Sequence, residues 1–170
     1  MKITDFRHDL LPLSDALFRL SYSIVQNREE AEDIVEDTLI KIWERRDELG
    51  EIRSIESYCF TICKNLSLDH IEKKEAQNIS LDIETNDRAD TSEQPDLILE
   101  QSERLKNIER LFKILPDKQR MVMQLRDIEG KNVAETAEIL NITQADVKVS
   151  LMRARQFIRT EIEKIERHGL

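Results

Sequence analysis

Glycine and proline are scarce in this chain, three of each among 170 residues, and aromatic residues make up only 5%. Sheet proteins draw on aromatic residues and on glycine-bearing turns, so a chain this poor in both and 36% charged reads as helical. No apolar run is long enough and free enough of charge to cross a bilayer. No charged-then-apolar signal stands near the start either, so a soluble, cytoplasmic protein is expected. Histidine is thin as well: His8, His70 and His168 are scattered. With no glycine-rich phosphate loop and no nucleophile beside an evident base, enzymatic chemistry is not expected. Cys59, Cys63 and His70 could line up on one helix face at i, i+4 and i+11, but two thiols and one imidazole are too few for a structural zinc site. The cysteines read as small core fillers, unbridged in a cytosolic chain, with no metal, cofactor or small-molecule substrate.

Acid is in excess. The formal net charge is −9, and the segment Gln77–Arg104 alone carries eight acids against two arginines, −6 of that total. Binding nucleic acid means neutralising phosphates with Lys and Arg, so the chain as a whole is a poor free DNA binder. Distribution matters more than the sum, however, and a larger partner could bring the chain to DNA. Gln77 to about Gln101 has little apolar content and no period, and is expected to be a flexible linker. Fully extended, it could span roughly 80 Å at about 3.3 Å per residue.

On the far side of that linker lies NVAETAEILNITQADVKVSLMRARQFIR, Asn132 to Arg159. Val133, Ala137 and Leu140 repeat at helical spacing, as do Val147, Leu151, Ala154 and Ile158. Asn141 between them tolerates the left-handed backbone of a tight turn. Thr143 can cap the second helix, with Asp146 completing a capping-box-like pair. The opposite face carries Gln144, Lys148, Met152 and Arg155, with Arg153 and Arg159 alongside. Helix, tight turn and basic-faced helix form the helix-turn-helix pattern, although an ordinary helical hairpin with a solvated face has the same outline. Two helices are expected before it. Leu105, Ile108, Leu111, Phe112 and Leu115 mark the first, ended by Pro116. The second runs from Asp117 to about Glu129, buries Val122 and Leu125, and stops at Gly130.

Before the linker, three helices are expected. The first runs from about Leu11 to Gln26 on a stripe of Leu17, Leu20, Ser21 and Ile24, with Asn27 as its stop. The second, Glu29 to about Arg46, keeps Ala31, Ile34, Val35, Thr38, Leu39, Ile42 and Trp43 in unbroken helical register. Its other face presents Glu32, Asp33, Glu36 and Asp37, then Lys41: a solvated face, or an acidic dock for a basic partner. Arg45–Arg53 contains Gly50 and reads as a loop. The third, about Ser54 to Glu75, is expected to bury Ile55, Cys59, Ile62, Cys63 and Leu66. That leaves Tyr58, Phe60, Lys64, Asn65, Lys73 and Lys74 for its exposed side and its end. Aromatics interleaved with Lys and Asn suit single-stranded nucleic acid, where bases stack and phosphates pair.

Four segments then carry a resemblance: AEDIVEDTLIKIW (Ala31–Trp43), SYCFTICKNLSLDHIEKK (Ser57–Lys74), LPDKQRMVMQLRDIEG (Leu115–Gly130) and the helix-turn-helix. In this order, around this linker, they resemble a bacterial sigma factor of the sigma-70 family, in the small extracytoplasmic-function group that keeps only regions 2 and 4. The resemblance covers about Leu10 to Glu163. It implies an all-α protein of two small helical domains: region 2 over residues 1–76, an acidic linker over 77–104 and region 4 over 105–170. It implies a transcription initiation factor that joins core RNA polymerase and directs it to promoter DNA. Asp33, Glu36, Asp37 and Lys41 match the helix that docks on the β′ clamp helices, and the β flap is a further contact. The loop Arg45–Arg53, with Arg45, Arg46 and Arg53, matches the segment that captures a flipped base of the −10 element. Tyr58, Lys64, Asn65, Asp69 and Lys73 fall on the helix that meets the melted strand. Gln144, Lys148, Val149, Met152 and Arg153 match the recognition helix for the −35 element, with Arg120 and Arg155 as phosphate contacts. An anti-sigma factor, of a kind often anchored in the membrane, is the further partner implied.

One departure stands out. The family commonly has Gly-Thr-Val-Lys-Ser-Arg where this chain has Ala145-Asp146-Val147-Lys148-Val149-Ser150. Losing an Arg and gaining an Asp changes which base edges can be read, unless Asp146 serves only as a cap. The alternative reading of the whole chain is a stand-alone helix-turn-helix DNA-binding regulator, which would bind duplex DNA without polymerase.

Overall fold

A computed structural model of the chain describes residues 2–81 and 102–168. They form helices and turns, with no strand among them. The chain divides into two compact units, one built mainly from the residues before 90 and one mainly from those after.

The first unit opens with a wide turn, Phe6–Leu10, and a tight one, Leu11–Leu13, that lead into α1, Ser14–Val25. Leu17, Leu20, Ser21 and Ile24 of α1 are all buried, as their spacing requires. The helix ends because Gln26 turns left-handed (φ 55°). Asn27 is therefore not its stop. It is the cap of the next helix, its side chain accepting from the Glu30 N–H at 3.0 Å. That helix, α2, spans Arg28–Glu44 and buries Ala31, Ile34, Val35, Thr38, Leu39 and Ile42.

After a turn in which Gly50 supplies a positive φ of 62°, α3 spans Ile55–Leu81. It runs past the expected end near Glu75 because neither Gly nor Pro interrupts the sequence there. The first positions assigned to the linker, 77–81, are therefore helical, and the rest of it, 82–101, lies outside the described residues.

The three helices pack mutually, α1 against both others and α2 against α3. Phe60, Leu10, Leu17, Leu20, Ile42 and Cys59 are among the most fully buried side chains. Two of the hydroxyls that go inside find partners there: Thr38 donates to the Ile34 carbonyl at 2.7 Å, and Ser67 donates to Ser21 at 2.9 Å across the α1–α3 contact. Cys63 lies against the Leu17 carbonyl at 3.5 Å.

The second unit begins with α4, Glu103–Lys113, capped by Ser102, and α5, Asp117–Met123. A widened turn, Gln124–Ile128, continues α5, so the single helix expected to run to Glu129 changes gauge at Gln124. Gly130 (φ 74°) then reverses the chain. Val122 and Leu125 are fully buried, as expected, whereas Leu105 on α4 is 42% exposed. The helix-turn-helix follows as α6, Val133–Leu140, and α7, Gln144–Arg167. Asn141 between them has φ 56°, the left-handed turn its residue type favours. α7 packs on α5 and α4, burying Val147, Leu151, Ala154 and Ile162.

Burial pushes the thiols of Cys59 and Cys63 up to about 12. Almost no thiolate then exists at mildly alkaline pH, and the thiolate is the reactive form. Both cysteines are expected to react with a chromogenic disulfide reagent only after unfolding in urea, and a fast reaction in the native protein would contradict this packing.

Candidate nucleic-acid interface

Placing one stripe of α2 inside forces its acids outward. Glu32, Asp33, Glu36, Asp37 and Lys41 are all exposed, and Ile40 among them is 51% exposed. No hydrogen bond or ion pair among the described residues engages the side chains of Asp33, Glu36, Asp37 or Lys41.

At the end of α2 the aromatic ring of Trp43 is held on two sides. Phe6 meets it edge-on at 5.7 Å between centroids, and the Arg46 guanidinium lies 3.7 Å from its centroid while donating to the Trp43 carbonyl at 2.8 Å. Arg46 therefore fixes the start of the loop, while Arg45 and Arg53 are exposed on it.

The exposed side of α3 differs from expectation at two positions. Phe60 is 1% exposed and Lys64 7% exposed. Phe60, Lys64 and Ser67 stand at i, i+4 and i+7, which is one stripe, and Ser67 is fully buried. Lys64 is carried in with that stripe, and desolvation lowers its pKa against the opposing pull of Asp69. Ile62 and Leu66, expected inside, are half-buried instead. Asn65, Asp69 and Lys73 are exposed and Tyr58 half-exposed, and their spacing of 7, 4 and 4 puts all of them on the outward side. Lys74 is tied to α2 through Glu30 at 2.7 Å.

In the second unit Arg120 is a structural residue. It is 5% exposed, and its guanidinium donates to the carbonyls of Lys113 (3.2 Å) and Leu115 (2.7 Å) and to Asp117 (2.7 Å). The chain leaves α4 at Lys113 and enters α5 after Pro116, so carbonyls at this corner have no helical partner. Arg120 supplies the missing donors. Buried and turned to these three acceptors, it does not stand on the outward face where a phosphate contact was expected. Arg155, the other expected phosphate contact, is exposed but already paired: its Nε donates to Asp127 at 3.0 Å, and a second nitrogen bonds the other carboxylate oxygen. The pairing raises the Arg155 pKa further.

On α7, Gln144, Lys148, Val149, Met152 and Arg153 all face outward. Thr143 caps the helix, accepting from the Asp146 N–H at 3.0 Å. The Asp146 carboxylate does not reciprocate as in a capping box. It accepts from Lys118 at 3.0 Å and from Ser150 at 3.2 Å, and the Lys118 bond holds its pKa below the ordinary range. The reciprocal box is one helix earlier, where Asn132 and Glu135 each accept from the other's N–H, at 2.8 and 3.2 Å. A cleft of about 560 Å³ runs beside α7, and Arg126, Lys148, Arg155 and Arg159 line it with Val133 and Met152.

The sequence matches two family descriptions, Sigma-70 region 2 over residues 12–77 and Sigma-70 region 4 over residues 105–158. It is 29% identical to the ECF RNA polymerase sigma factor SigW of Bacillus subtilis over 161 residues, 89% of this chain and 85% of that protein. It is 26% identical to the ECF RNA polymerase sigma factor SigL of Mycobacterium tuberculosis over 152 residues, 88% of this chain and 84% of that protein. Among solved structures, the sigma factor RpoE bound to the anti-sigma factor NepR from Bartonella quintana is similar at a TM-score of 0.75 and 26% identity, over 96% of this chain and 99% of that one. CnrH in complex with the cytosolic domain of CnrY shares the fold at a TM-score of 0.67 and 19% identity, over 94% of this chain and 88% of that one.

Arg120→Ala leaves the carbonyls of Lys113 and Leu115 without their donors and is expected to lower the unfolding free energy by about 2 kcal/mol in urea titrations. Arg120→Lys, lacking the planar fork, is expected to recover only part of it.

Proposed function

The chain belongs to the sigma-70 family, in the extracytoplasmic-function group of RNA polymerase sigma factors, and from that membership we propose which of its residues do the work of transcription initiation. A protein of this kind joins core RNA polymerase and directs it to specific promoters, by binding rather than by a covalent step. It acts in the cytoplasm. Residues 1–76 dock on the clamp and hold the −10 strand, residues 77–104 connect, and residues 105–170 read the −35 duplex.

The observation that carries this reading is the strip Asp33, Glu36, Asp37 and Lys41 on α2, outward-facing and without a side-chain partner among the described residues. Unpaired charges on a helix that buries a full apolar stripe suit a partner of opposite charge. That partner is the β′ clamp, with the β flap meeting the second unit. Arg45 and Arg53 on the loop, with Tyr58, Asn65, Asp69 and Lys73 on α3, form the surface for the melted −10 strand. A flipped base costs a few kcal/mol to extrude, and a stacking and charged surface must offset that. Lys148, Arg153 and Gln144 on α7 supply polar and charged contacts in the −35 major groove. The net charge of −9 makes unaided promoter binding weak, which fits a factor that reaches DNA only with polymerase. The similar RpoE was solved with an anti-sigma factor, and an anti-sigma partner is inferred for this chain too.

Binding of the labelled protein to bacterial core RNA polymerase tests the reading. The Asp33→Ala/Asp37→Ala double variant is expected to weaken binding by about 1 kcal/mol or more, roughly fivefold. Lys148→Ala/Arg153→Ala is expected to keep polymerase binding and lose promoter-directed initiation. Duplex binding by the free protein, with none to polymerase, would instead support a stand-alone regulator.

A further inference from the structure

α7 buries Val147, Leu151 and Ala154, yet two large apolar side chains remain on its outer face: Val149 is 39% exposed and Met152 57% exposed. The other exposed large apolar side chains lie singly on other segments of the described chain. Val149 and Met152 stand three residues apart, about 60° around the helix and about 4.5 Å along it. They occupy the middle of the outward face, with Lys148 on one flank and Arg153 on the other. An apolar pair framed by cations on a helix that enters DNA is placed against base edges, while the cations reach phosphates or guanine.

Ser150 and Asp146, on the same turns, are already engaged. Ser150 is 3% exposed and donates to Asp146, and Asp146 also accepts from Lys118. Thymine alone among the four bases presents a methyl group in the major groove. Against any other base, these side chains would strip water from donors or acceptors and return no hydrogen bond. Their axial spacing is comparable to one base step, about 3.4 Å along a strand.

We propose that Val149 and Met152 read the 5-methyl groups of two neighbouring thymines, so that this chain's −35 element is specified by methyl contacts at those positions. The proposal rests on α7 being the −35 recognition helix. The fold alone does not supply it, because Val149 stands where the resemblance places a serine, and Ser150 where it places an arginine.

The test uses holoenzyme assembled from bacterial core RNA polymerase and the full chain. Preferred −35 sequences are first selected from promoters randomised over that element. Deoxyuridine then replaces each thymidine in turn, which removes one methyl group and nothing else. The selected element is expected to hold thymine at two neighbouring positions, and each replacement to weaken promoter binding about fourfold, the worth of one buried methyl group. Val149→Ala is expected to abolish the deoxyuridine effect at one of the positions, and Met152→Ala at the other. Both side chains are exposed, so unchanged thermal unfolding confirms that the variants fold. A selected element without thymine, or one indifferent to deoxyuridine, overturns the methyl readout and leaves the transcription reading intact. Holoenzyme that forms and selects no −35 sequence at all overturns both.

Discussion

Both units depend on the burial of one stripe of each helix against its neighbours. Each large apolar side chain moved inside is worth roughly 1.5–3 kcal/mol, and with so few aromatics the cores are built from aliphatic side chains and a few small polar ones. A stripe fixes rotation about the helix axis. Once Ile34, Val35, Leu39 and Ile42 face inward, Asp33, Glu36 and Asp37 must face outward. The same geometry on α7 turns Lys148, Val149 and Met152 away from the core that holds Val147, Leu151 and Ala154. Neither surface requires a loop to hold it in shape. Each is the outer face of a helix that the core has already oriented.

Of the basic residues that lie mostly inside, Arg120 and Lys64 do so for different reasons. Arg120 is placed where the chain breaks at Pro116 and leaves carbonyls without donors, and its planar fork reaches two of them at once. It joins α4 to α5 as a cap contributed from a later residue. Lys64 has no comparable set of bonds. It shares the stripe of Phe60 and Ser67, and a long aliphatic stem makes that tolerable while desolvation disfavours its charge.

What could be read from the sequence was what depends on local spacing. The α2 stripe, the left-handed Asn141 and the Thr143 cap follow from residue type and register, and each stands where that register put it. Sequence and structure part where a position carries two signals. The charge of Lys64 points outward although Phe60 and Ser67 flank it at helical spacing, and Phe60, interleaved with Tyr58, Lys64 and Asn65, reads as a surface aromatic although the core has few other rings. The Asn132–Glu135 box is legible, an Asn followed three residues later by Glu ahead of an apolar run. Contacts distant in sequence were not legible at all. Asp127 to Arg155 and Lys118 to Asp146 each span 28 residues, and nothing local announces which acid meets which base.

The Asp127–Arg155 pair changes what salt does to this surface. A free arginine that meets a phosphate releases counterions from the nucleic acid, and binding then weakens steeply as salt rises. Arg155 already has an anion in its fork. For it to touch a phosphate, one anion must replace another, and the displaced carboxylate of Asp127 stays nearby as a like charge facing the DNA backbone. In the −35 role proposed for α7, Arg155 would be an exchange site, adding less to the attraction of the duplex than its charge suggests.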